Sequence, residues 1–77
     1  MAIGFILIKV NTGAELETYN KLTKVEDVEE VYQIFGEYDL IAKIEADSFE
    51  NIGYIVVNKI RSIEGIIDTK TLAGTKF

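Results

Sequence analysis

The chain has no cysteine, histidine, proline or tryptophan among its 77 residues. The first two absences each close a class of chemistry. Without cysteine there are no disulfides, no thiolate nucleophiles and no cysteine-based zinc sites. Without histidine the commonest metal ligand and the commonest general base near neutral pH are gone. A serine nucleophile would therefore have no imidazole beside it. Long apolar runs are lacking too, since none approaches the roughly 20 residues that span a bilayer. The start, MAIGFILIKVN, carries neither a basic leader nor a cleavage-site pattern, so the cytoplasm is the default compartment and no membrane is implied. Clustered positive charge is also missing. Eight Lys and Arg residues are scattered against thirteen Asp and Glu, and the net charge of −5 opposes direct contact with nucleic acid.

What is present is a globular composition, 48% hydrophobic and 27% charged. A chain this short forms one domain at most and buries only about 60% of the surface its unfolded form exposes. With disulfides and Cys/His metal sites excluded, oligomerisation is the remaining route to added stability.

Residues 3–10 form a β-branched and aromatic run that stops at Asn11-Thr12-Gly13, which predicts a strand. Thr12 and Glu15 have capping-box spacing, so a short helix is expected to about Thr23, with Leu16, Tyr19 and Leu22 near one face. Residues 28–35 and 39–46 read as two strands of an antiparallel hairpin, because the loop between them is so short. A second helix is expected from Asp47 or Ser48, rival N-caps, to about Glu64. It carries the stripe Phe49, Ile52, Val56, Ile60 and Ile63. Gly65 supplies the stop, and residues 66–73 form the last strand. The order β-α-β-β-α-β predicts an α+β, ferredoxin-like fold: a four-stranded antiparallel sheet with two helices on one face.

Two helices cover one sheet face, and the other should read as polar. Here it does not. Simple alternation puts Phe5, Leu7, Ile41, Ile66 and Leu72 on the open face, with Lys9, Lys43, Glu45, Asp68 and Lys70 around them. An apolar patch of several hundred Å² marks an interaction site, and a homodimer with sheet facing sheet is expected.

The hairpin loop Phe35-Gly36-Glu37-Tyr38-Asp39-Leu40 holds more chemistry than a turn requires. One reading is structural: Gly36 takes positive φ, Asp39 caps the turn and Tyr38 packs on a neighbour. The other is that the loop grips a small zwitterion, with glycine-turn N–H groups for a carboxylate and Asp39 for an ammonium.

The loop, the helix closing on Ile63-Glu64-Gly65-Ile66, and Asp68-Thr69-Lys70-Thr71 together resemble the RAM domain of the Lrp/AsnC transcription regulators. The match is ungapped from Gly36 to Gly74, while the first 35 residues agree in element order. The resemblance implies a single RAM-like domain over residues 1–77 without a helix-turn-helix DNA-binding domain. It implies a free amino acid as effector, no cofactor, no metal and no enzymatic activity. It further implies homodimers assembled into a ring of about four or five (octamer or decamer), together with full-length Lrp/AsnC regulators as partners. The effector site it implies lies where dimers meet. Gly36, Tyr38 and Asp39 come from one subunit and Thr69, Thr71, Leu72, Ala73 and Gly74 from a neighbour, with Phe49 as a further effector-sensitive position. Glu64 stands where the family has proline, leaving Gly65 alone to hold that turn. Two other readings stand beside this one: a purely structural oligomerisation unit, and a small cofactor-independent monooxygenase or isomerase of the dimeric ferredoxin-like type.

Overall fold

A computed structural model describes residues 1–75. The elements are β1 (Ala2–Val10), α1 (Glu15–Thr23), β2 (Val28–Gln33), β3 (Leu40–Ala46), α2 (Phe49–Ile55), a π-helical turn (Val56–Ile60) and β4 (Ile66–Thr75). One antiparallel sheet runs β2-β3-β1-β4, so β2 and β4 are its edges. This is the expected ferredoxin-like α+β arrangement. The main helix contacts are α2 over β1 and β3, and α1 over β2 and β3, so β4 lies outside them.

Period-two alternation builds the core. Ala2, Ile6, Ile8 and Val10 of β1 and Leu40, Ala42 and Ile44 of β3 are buried beneath the helices. Leu22 of α1 and Ile52, Ile55, Val56 and Ile60 of the second helical segment close over them. Each such side chain contributes about 1.5–3 kcal/mol on full burial. Gly4 faces the same side, where a β-carbon would stand 3.0 Å from Ile52 Cγ2, so its bare backbone lets α2 approach closely.

Several sequence expectations are corrected. Helix α1 starts at Glu15 with Ala14 as N-cap and no side-chain cap, so Thr12 does not cap it. On its buried face Thr18 joins Leu22, while Leu16 is 72% exposed. Of the two rival N-caps of the second helix it is Ser48, not Asp47, that holds the position, its Oγ accepting from the Asn51 amide at 3.2 Å. That helix does not run unbroken to Glu64. It widens at residues 56–60, where the Arg61 amide reaches the Val56 carbonyl at 2.8 Å, and its stripe residue Phe49 lies outside the core, 57% exposed. Strand β2 ends at Gln33, and Phe35, assigned above to the strand, is 95% exposed.

The open face also departs from simple alternation. Lys9 pairs with Asp68, but Val10 pairs with Ile66, so the register shifts and Ile67 is skipped. This bulge turns Ile66 to the helix side, against the core, and leaves Ile67 55% exposed. Ile66 therefore leaves the predicted open-face patch. Phe5, Leu7, Ile41 and Leu72 stay in it and fall in cross-strand rows. One row is Tyr32, Ile41, Leu7, Lys70; the next is Glu30, Lys43, Phe5, Leu72. Tyr32, absent from the sequence assignment, joins the face at 56% exposure.

Candidate functional site

The predicted loop is built as a tight hairpin end. The Ile34 amide donates to the Asp39 carbonyl at 2.9 Å, and the Asp39 amide donates to the Ile8 carbonyl at 2.8 Å. Gly36 has φ +119 with nothing within 4 Å of a would-be β-carbon, so glycine is required there by backbone conformation, not space. Asp39 Oδ2 accepts from the Val10 amide at 2.9 Å. The half-buried Asp39 carboxylate is thereby fixed against the end of β1. Its Oδ1 makes no hydrogen bond among the described residues. Tyr38 is half-buried, while Gly36 and Glu37 are exposed.

The other predicted residues lie elsewhere. Gly74 is opposite Ile3, Ala73 opposite Gly4 and Leu72 opposite Phe5. Leu72, Ala73 and Gly74 line a cleft of about 260 Å³ with Ile3, Phe5 and Thr75. Phe49 lines a neighbouring cleft of about 320 Å³ that shares Thr75 with it. Both lie at the end of the sheet away from the hairpin loop. Thr69 and Thr71 stand between, opposite Ile8 and Ile6. They are on the helix side of the sheet, Thr69 half-buried and Thr71 exposed, because the main helix contacts do not cover β4.

The two halves are therefore well separated within one protomer. Ile3 and Val10 are seven residues apart on β1, roughly 23 Å at ~3.3 Å per residue. No free amino acid spans that gap. The structure brings Gly36, Tyr38 and Asp39 together, and Leu72, Ala73 and Gly74 with Phe49 nearby, but not the two sets.

A larger cleft of about 430 Å³ is lined by Gly13, Glu15, Leu16, Tyr19, Gln33 and Leu40. It lies beside the loop, with Gln33 and Leu40 at the ends of the strands that carry it. Helical periodicity hid this cleft, because Leu16 reads as a core residue. Among the described residues, two surface groups titrate away from their ordinary values. The Tyr32 hydroxyl donates to Glu30 Oε1 at 2.8 Å, and this bond, with the Glu30 charge, raises its pKa. Lys59 is raised by its hydrogen bond and charge pairing with Asp27, at 2.6 Å.

The model of the Lrp/AsnC ligand-binding domain matches residues 3–74. The chain belongs to the Lrp/AsnC family. It is 37% identical over 74 residues to the HTH-type transcriptional regulator FL11 of Pyrococcus furiosus, covering 96% of this chain and 48% of that protein. It thus spans about half the length of that curated relative. Two solved structures match along nearly their whole length. FFRP-DM1 has a TM-score of 0.90 at 36% identity, covering 97% of this chain and 100% of that one. The hypothetical protein PHS023 from Pyrococcus horikoshii has 0.89 at 35%, covering 100% and 93%. Of these relatives, FL11 is named as a regulator of transcription. Among the described residues of this Lrp/AsnC domain, no helix is long and apolar enough to cross a membrane.

Proposed function

We propose that this Lrp/AsnC domain is an amino-acid effector module that acts in transcriptional regulation of amino-acid metabolism by assembly rather than by touching DNA. Copies pair through the open sheet face, where Phe5 and Leu72 stand opposite each other and Leu7 opposite Ile41. Dimers then join in a cytoplasmic ring, octamer or decamer, that can associate with full-length Lrp/AsnC regulators. The net charge of −5 supports a protein partner over a phosphate backbone.

The observation that carries the reading is the split site. Gly36, Tyr38 and Asp39 form a loop with a fixed carboxylate, and Leu72, Ala73 and Gly74 line a shallow cleft roughly 23 Å away. At about 260 Å³ that cleft falls below the ~300 Å³ typical of a small-molecule pocket. Each half gains an enclosing wall only from another copy. In the joined site the Asp39 carboxylate takes the effector ammonium, loop N–H groups near Gly36 and Tyr38 take its carboxylate, and residues 72–74 take its side chain. Thr69 and Thr71 border the site from the exposed edge, and Phe49 adjoins its side-chain end.

Thermal unfolding against the twenty amino acids tests this. An effector at 100 times its Kd should add about 2.7 kcal/mol of stability. If no amino acid moves the melting point, the sensor reading fails and a purely structural oligomerisation unit takes its place.

A further inference from the structure

We propose that Asp39 is the positioning residue of the 34–39 loop and that, through Val10, it ties this loop to the start of β4. The β1–β3 ladder ends at the Ile8–Leu40 pair. Beyond it, toward the loop, no β3 residue is left to accept the Val10 amide. The Asp39 carboxylate takes that place at 2.9 Å, while its own amide donates to Ile8 at 2.8 Å. One residue thus extends the sheet by a rung, main chain on one side and side chain on the other. The acceptor is charged, which makes the bond stronger than an ordinary strand rung.

Val10 is also the residue at which the β1–β4 register breaks. Its neighbour Asn11 donates to the Gly65 carbonyl at 2.9 Å, and Val10 itself pairs with Ile66. Three features therefore meet at Val10: the loop carboxylate, the bulge that skips Ile67, and the positive-φ turn at Gly65. Val10 is 5% exposed, so loss of the carboxylate would leave a largely buried residue with its amide lacking its acceptor, at a cost in stability. The loop and residues 65–67 must then hold or loosen together. Asp39 also keeps one oxygen, Oδ1, outside this bond. On the effector reading proposed above, on which this last consequence rests, a ligand drawn to that oxygen would be felt at the bulge through Val10.

The test needs no ligand. Amide hydrogen exchange at Val10, Asn11 and Ile66 is measured in the wild-type chain, Asp39→Ala and Asp39→Asn. Removing the acceptor should speed Val10 exchange by roughly tenfold or more, and carry Asn11 and Ile66 with it. Asp39→Asn keeps a side-chain oxygen and should restore protection to within about threefold. An unchanged Val10 rate in Asp39→Ala, or equal loss in both variants, overturns the proposal. If Asp39→Ala does not fold, the wild-type chain still decides. Through-bond coupling between the Val10 nitrogen and the Asp39 carboxyl carbon supports the bond, and its absence overturns it. Because no amino acid is added, this result is separate from whether any amino acid binds.

Discussion

Gly4 lies directly beneath Ile52, at a distance that leaves no comfortable room for a methyl group: an added β-carbon would meet Ile52 Cγ2 at 3.0 Å and Ile44 Cγ1 at 3.1 Å. Both neighbours are fully or almost fully buried. Gly4→Ala should therefore force these buried side chains to shift by a few tenths of an ångström and cost about 1–3 kcal/mol, the usual penalty for overpacking. Chemical denaturation measures it. Ile52→Ala removes the Cγ2 that the new methyl would meet and should make the Gly4→Ala penalty smaller in that background, whereas two independent, additive penalties would show that the contact is not the cause.

The two helix starts make opposite predictions from similar sequence. Ser48→Ala removes the oxygen that accepts from Asn51 and should lower stability by about 1 kcal/mol. Thr12→Ala removes no cap, because Ala14 holds that position without a side-chain bond, and should stay within about 0.5 kcal/mol. A comparison of the two melting curves is sufficient, and a larger loss at Thr12 would contradict the observed start of α1.

Phe5 stands between Lys43 and Leu72 in the middle of the open face and is 42% exposed. Phe5→Glu should leave the protomer folded, since the new carboxylate has Lys43 opposite it. It should weaken sheet-to-sheet association by roughly 100-fold, as expected for a charge placed at an interface centre. Light scattering across a dilution series checks this. The wild-type chain should exceed 8.6 kDa under conditions where the variant returns to it. A wild-type chain that stays at the protomer mass would remove the dimer.

Alkaline pH should act through Tyr32. Its hydroxyl donates to Glu30, and that bond and charge raise its pKa above the ordinary 10.0. A folded-state pKa above the unfolded one contributes stability that is complete below pH 10.0 and fades as pH rises through the folded value. Absorbance titration of the four tyrosines should therefore show one ionising later than ordinary tyrosine. Tyr32→Phe should remove that late step, and so should Glu30→Gln in large part. If the late step survives both, it belongs to another tyrosine.

The element order was legible because each strand and helix has an internal period, and period survives without tertiary knowledge. Positive φ at Gly36 and Gly65 was legible for the same local reason, and Gly65 holds its turn with Glu64 in place of proline. The features that escaped depend on distant partners. Ile66 was misassigned because counting by twos assumes no skipped residue, and the bulge at Ile67 is visible only in the pairing with Lys9 and Val10. Asp47 and Ser48 both satisfy cap preferences, and only the extended backbone at Ser48 selects between them. Leu16 fitted the helical face, yet Thr18 took the buried place beside Gly65, whose missing β-carbon leaves room for its hydroxyl. The loop composition suggested a carboxylate with work to do. It could not disclose that the first partner of Asp39 is an amide 29 residues away.

The roughly 23 Å between the hairpin loop and the Leu72–Gly74 end of β4 has one last consequence. If neither half suffices alone, the effector's apparent affinity is set partly by how many sites are assembled, and so by the amount of the protein itself. Dilution would then weaken the response at fixed effector, and the effector would in turn hold neighbouring subunits together by the same coupling free energy. A module of this kind reports the product of two abundances, its ligand's and its own.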